Sequence, residues 1–147
     1  MEYIVFLVAI IFLIGSISIA LPSKSSRKIS KVRLEAKLLG CKIISILYGN
    51  TKFKNNNSLD VSYQIKNNTN LKEGHFIRDK DILILYSPVK LKYSDKFNDI
   101  NKVLQNMSLS LEEIIFNNVS ISFLWKETSG TEELKLILND FDELNNF

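Results

Sequence analysis

The chain is short of the groups on which most chemistry depends. Its 147 residues include one cysteine, Cys41, and one histidine, His75. A lone cysteine excludes an intramolecular disulfide framework and is compatible with a reducing compartment. It opens an expected apolar strand, which suits a small buried hydrophobe better than a nucleophile. A lone histidine has no second imidazole with which to share a metal ion, and the one thiol, Cys41, belongs to that expected buried strand. In Lys72-Glu73-Gly74-His75-Phe76, beside an expected loop, it reads as a surface residue rather than a general base. Five glycines, scattered singly, make no phosphate-cradling loop. Asp79 and Asp81 flank Lys80 and could hold a divalent cation with Glu73, but an oxygen cage needs more ligands, and a charged turn accounts for them. Glu112-Glu113 and Glu132-Glu133 are adjacent pairs on expected helices, so neither pair converges on one point. Cations interleaved with aromatics, the mark of a nucleic-acid surface, are missing. Phe97, Phe123, Trp125 and Phe141 fall at core-facing positions and need no ligand to explain them. The sequence therefore predicts no catalytic residue, no cofactor, no metal and no nucleic-acid partner.

What is present begins at the N-terminus. Tyr3 to Leu21 carries no charge. As a helix that run reaches roughly 28 Å, close to the hydrocarbon thickness of a bilayer. Pro22 ends it. Gly15, Ser16 and Ser18 form a weak small-residue face for helix contacts. Residues 1–22 thus read as a transmembrane anchor. The cations Lys24, Arg27, Lys28, Lys31 and Arg33 follow directly, and the positive-inside bias holds them in the cytoplasm with the N-terminus outside. Ser18-Ile19-Ala20 also resembles a signal-peptide cleavage site, yet no Lys or Arg precedes the apolar run as such a signal requires.

A net charge of +3 hides a polarity. Lys24 to Lys54 holds nine Lys/Arg and one acid, whereas Asp95 to the C-terminus holds ten acids and four lysines. An anionic leaflet attracts each nearby cation by ~1 kcal/mol, so anionic headgroups are an expected partner of the basic cluster. Four Asn-x-Ser/Thr sequons, at Asn56, Asn67, Asn106 and Asn118, carry no weight in a chain with fifteen asparagines.

Residues 23–40 read as a basic juxtamembrane helix. Ile29, Val32, Ala36 and Leu39 recur at helical spacing, and Gly40 is the stop. It suits a helix lying on headgroups and a helix packed on the domain equally well. Residues 41–147 read as one soluble domain. Cys41 to Tyr48 is expected as a central strand, apolar on both sides. Gly49-Asn50 is a turn, 55–58 a polar loop, and Leu59 to Lys66 a strand with one wet face. Asn67 to Glu73 is a loop, and Asp81 to Tyr86 a short strand. Ser94-Asp95 caps a helix carrying Phe97, Ile100, Val103, Leu104 and Met107 on one face. Ser110 to Phe116 reads as a further helical turn. Val119 to Lys126 is a strand pointing Val119, Ile121, Phe123 and Trp125 one way and Ser120 and Ser122 the other. Ser129-Gly130-Thr131-Glu132 has capping-box spacing before a last helix that buries Leu134, Ile137, Leu138, Phe141 and Leu144. The expected fold is α+β: a single N-terminal transmembrane helix, then a small antiparallel or mixed four-stranded sheet with helices on one face, in the order α-βββ-α-β-α.

Leu21-Pro22-Ser23 followed by Arg27, Arg33, Leu34, Ala36 and Leu39-Gly40 resembles the post-anchor signature of small single-span inner-membrane proteins of proteobacteria. Ile121-Ser122-Phe123-Leu124-Trp125-Lys126-Glu127, running into an acidic helix, is similar to the end of the same proteins, some of which are labelled as preprotein-translocase accessory subunits of the YajC type. The resemblance covers about a third of the chain. The middle departs from it, being rich in Asn and Lys where those proteins carry Pro, Trp and Arg. It implies one span, a cytoplasmic domain and no catalytic residues.

The expectation is a non-enzymatic, single-pass inner-membrane protein whose cytoplasmic domain binds a membrane or cytoplasmic protein as accessory subunit or adaptor. Lys24, Arg27, Lys28, Lys31 and Arg33 would set orientation and touch lipid. The acidic last helix, with Glu132, Glu133, Asp140, Asp142 and Glu143, is a candidate partner face. Three alternatives stand beside it: an exported, anchored envelope or entry-type domain, a sensor of lipid surfaces, and a membrane-bound enzyme. A deep pocket combining His75 with Asp79 or Asp81 would favour the last.

Overall fold

The computed structural model describes residues 1–47, 49, 51–55 and 61–146. Of the expected elements, Tyr48, Asn50, the loop residues 56–58 with the sequon at Asn56, and Leu59 and Asp60 of the second strand lie outside the described residues.

Helix α1 (Glu2–Ala20) buries none of its residues. Among the described residues it is the one stretch long and apolar enough to cross a membrane. Its two serines bond back within the helix, Ser16 Oγ to the Phe12 carbonyl at 2.8 Å and Ser18 Oγ to that of Ile14 at 2.9 Å. Both hydroxyls are thereby satisfied within the helix. After Leu21-Pro22, Ser23 caps α2 (Lys24–Leu38) by accepting from the Ser26 amide at 3.1 Å. Gly40, at φ +88°, closes it. Its amide donates to Lys37 and that of Cys41 to Ala36, the paired bonds that satisfy orphan carbonyls at a helix end.

The domain is α+β, with six strands rather than four: β1 (Lys42–Ser45), β2 (Val61–Lys66), β3 (Gly74–Asp79), β4 (Ile82–Ser87), β5 (Leu111–Phe116) and β6 (Ser120–Trp125). They form one antiparallel sheet in the order β1-β2-β6-β5-β3-β4. The expected central strand, β1, is an edge. On its second apolar face, Gly49 of the chain that follows lies against Ile44. The stretch expected as a helical turn is β5, and the reason is a bulge at Glu112. The extra residue brings Leu111 and Ile114, three apart, to one side, which counterfeits helical spacing. Strand β3 escapes the sequence because His75 and Arg78 interrupt its alternation.

Helices α2, α3 (Phe97–Asn106) and α4 (Thr131–Glu143) put their buried side chains into one core with the sheet. Tyr63, Phe76, Ile114, Ile121 and Phe123 face them, and Phe141 of α4 meets the rings of Phe123 at 5.2 Å and Phe116 at 6.2 Å. Val32 and Ala36 attach α2 to this core. Trp125 lies edge-on to Tyr63 at 5.6 Å and, with Ile29 of α2, lines a cavity of about 330 Å³. Its buried Nε1 has no partner among the described residues. The two expected side-chain caps do not form. Helix α3 begins after Lys96 and α4 after Gly130, neither with a side-chain bond at its cap.

Candidate functional site

Strand alternation places a second set of residues on the face opposite the helices. There His75 of β3 and Glu113 of β5 come together: His75 Nε2 stands 2.6 Å from Glu113 Oε1. The imidazole is 12% exposed and the carboxylate fully buried. This corrects both sequence readings, of His75 as a surface loop residue and of Glu113 as a helix residue. A buried carboxylate is tolerated only with donors around it. Glu113 has two more, the backbone amides of Lys54 at 2.7 Å and Asn55 at 2.9 Å.

Those amides belong to the connection from β1 to β2, which crosses the sheet as a strap. Thr51 Oγ1 lies 3.4 Å from Ser122 Oγ on β6, and Phe53 is buried. Lys54 Nζ reaches 4.7 Å from the ring centroid of Tyr86 on β4, the far edge. Tyr86 also meets the His75 ring edge-on at 5.0 Å. One carboxylate thus holds a loop and an imidazole at once. Because Nε2 faces a carboxylate, a neutral His75 ring carries its proton there, leaving Nδ1 as a lone pair. Nδ1 has no hydrogen-bond partner among the described residues. His75 lines a polar groove of about 740 Å³ with Thr51, Lys52, Gln64, Ser87 and Asn117. An imidazole oriented by a carboxylate can accept a proton, hold a ligand by hydrogen bond, or ligate a metal.

Asp79 and Asp81 do not join this groove; with Lys80, at φ +53°, they form the tight β3–β4 turn. Among the described residues no group of three metal-type ligands converges.

The basic cluster divides. Lys24 and Arg27 are exposed, and Lys31 is within 3.8 Å of Glu35. Lys28 Nζ donates to the Thr128 carbonyl at 3.0 Å. Arg33 is committed inward: Nε and Nη2 each lie 2.7 Å from the two oxygens of Glu127, which also accepts from the Tyr63 hydroxyl at 2.7 Å. Burial, then the bond to Glu127, pushes the Tyr63 phenol well above its usual range. A guanidinium paired through two nitrogens with a largely buried carboxylate joins α2 to the domain.

The acidic helix divides as well. Glu132, Asp142 and Glu143 are exposed. Glu133 turns back to bond Ser108, and Asp140 is half-buried. Burial, with Glu143 and Glu133 nearby, raises the Asp140 carboxyl to about 6. Cys41 is buried, which lifts its thiol to about 11, far from a reactive value.

The His75–Glu113 pair has one signal in the sequence. Glu113 is a charge set among Leu111, Ile114, Ile115 and Phe116, and an acid in an apolar strand requires a partner. The partner itself, 38 residues away, is chosen by strand register, which no local pattern encodes. No family model, no curated protein and no solved structure matches this chain.

Proposed function

We propose that this is a single-pass inner-membrane protein, N-terminus outside, whose cytoplasmic α+β domain acts without catalysis as an accessory subunit or adaptor and binds another protein. The observation that carries the reading is the edge strand β4. Ile82, Ile84 and Tyr86 are 46%, 42% and 49% exposed on one face of it, and among the described residues no strand lies on its outer side. An unpaired apolar edge is a template to which another chain adds a strand. The exposed acids Glu132, Asp142 and Glu143 offer a second, polar contact. Only Leu21, Pro22 and Ser23 separate α1 from α2, and α2 is joined to the domain through Val32, Ala36 and the Arg33–Glu127 pair, so the domain rides close to the bilayer. Lys24 and Arg27 face anionic headgroups at that junction. The likeness to single-span proteobacterial proteins supports the same topology.

The test has two parts. Asn145→Cys in the full chain, exposed near the C-terminus, should resist a membrane-impermeant maleimide in intact cells and label after permeabilisation. Labelling of intact cells would transfer the domain to the outside. A photo-crosslinker at Ile84 should capture one defined protein, and Ile82→Lys should abolish the adduct while the domain stays folded. An adduct that survives this change would remove β4 from the interface.

A further inference from the structure

We propose that the groove beside His75 binds a phosphate-bearing anion. The groove adjoins β4, whose last residue, Ser87, lines it, but the inference does not rest on the protein-binding reading, which concerns the outer edge of β4 and the acids of α4. The groove is rich in donors. The Lys52 ammonium and the hydroxyls of Thr51 and Ser87 line it, as does Asn117. The Asn117 side-chain oxygen already accepts from the amides of Val119 and Ser120, so its amino group is left to donate outward. Among the described residues the one carboxylate on the rim is Glu73, which pairs with Lys90 at 2.5 Å.

His75 completes the set. Among the described residues the charged groups around it are Lys52 and Lys54 from the strap, Glu73 with Lys90 at the groove's edge, and Glu113 behind the ring, with the Tyr86 phenol alongside. Glu113 compensates a positive imidazolium from the buried side. Dihydrogen phosphate entering the groove passes one proton to Nδ1 and remains as hydrogen phosphate. It then accepts Nδ1–H as a charge-assisted bond while Nε2–H stays on Glu113. Charge and protons balance with no further reactant. A phosphorylated lipid headgroup and a free phosphate present the same chemistry.

The single histidine makes the test direct, because the imidazole nitrogen spectrum of the full chain reports His75 alone. In neutral-detergent micelles at fixed pH and ionic strength, inorganic phosphate should convert Nδ1 from lone pair to protonated nitrogen, saturably and at millimolar concentration. Lys52 is exposed on the strap, and Lys52→Ala should weaken the response about tenfold, the worth of one charged hydrogen bond, while the remaining spectrum holds. In a second arm, nanodiscs of phosphatidylcholine with phosphatidic acid should produce the change without added phosphate if a headgroup is the source. Silence there with a response to inorganic phosphate assigns a free anion. No saturable change in either medium, an equal change with chloride, or an undiminished response in Lys52→Ala overturns the proposal.

Discussion

The two faces of the sheet are built on opposite principles. Towards the helices, rings and aliphatic chains from five strands and three helices interlock, and the buried area itself drives folding. Towards the strap, the most buried side chain is a carboxylate, with Ser62 and Ser122 close behind it in burial. That face gains order through hydrogen bonds whose net worth is small and whose loss is expensive. One face therefore fixes the fold, and the other holds a loop and a groove in place at little gain in stability. A site that must admit a ligand belongs on the second.

The largest losses are expected on the helix side. Phe141→Ala empties the meeting point of three rings and should destabilise the domain by about 3–5 kcal/mol. Denaturant unfolding in micelles measures it, and a loss under ~1 kcal/mol would mean this core is not what sustains the fold. Glu113→Ala comes next, at about 2–3 kcal/mol, since it strands two backbone amides and an imidazole. Its signature is local: hydrogen exchange should accelerate at Lys54 and Asn55 while α4 keeps its protection. Equal acceleration everywhere would show that the strap is part of the main core.

Asp140 sharpens the contrast, being a half-buried acid on the helix side. Its carboxyl is raised to about 6 in the folded chain, against about 4 when unfolded. The folded state then binds more protons across that window, so this group makes stability fall as pH rises from about 4 to about 6 and leaves it lower above. Asp140→Asn should raise stability near neutral pH by about 1 kcal/mol, after screening at a partly exposed site, and change nothing in acid. A gain that persists in acid would point to a cause other than ionisation. The smallest effect is at Cys41. Buried, with its thiol near 11, it should stay unmodified by iodoacetamide in mildly alkaline buffer until the domain unfolds.

How much of this was legible follows from where each feature's information resides. Helix α2, the core stripe of α4 and the alternation of Ile121, Phe123 and Trp125 are local periodicities, and the sequence shows them. Val119, placed by that alternation with the core residues, is 75% exposed because β6 starts one residue later. The bulge at Glu112 shifts the period of β5 by one residue, and a period read from one segment cannot register an insertion made good only by the neighbouring strands. The candidate site lies at the far end of this scale. Glu113 draws on the strap, β3 and β5 together, so its meaning exists only after the sheet has formed. Arg33 shows the same limit: as a letter it joins a run of cations, yet its guanidinium faces Glu127, 94 residues on.

The position of Trp125 has a practical side. It is the chain's sole tryptophan, nearly sealed, and Ile29 of α2 shares the small cavity at its flank. Should α2 lift away from the domain, water would reach the indole and its emission would move to the red. The joint between the N-terminal helices and the folded domain thus contains a built-in optical gauge, readable without any added dye.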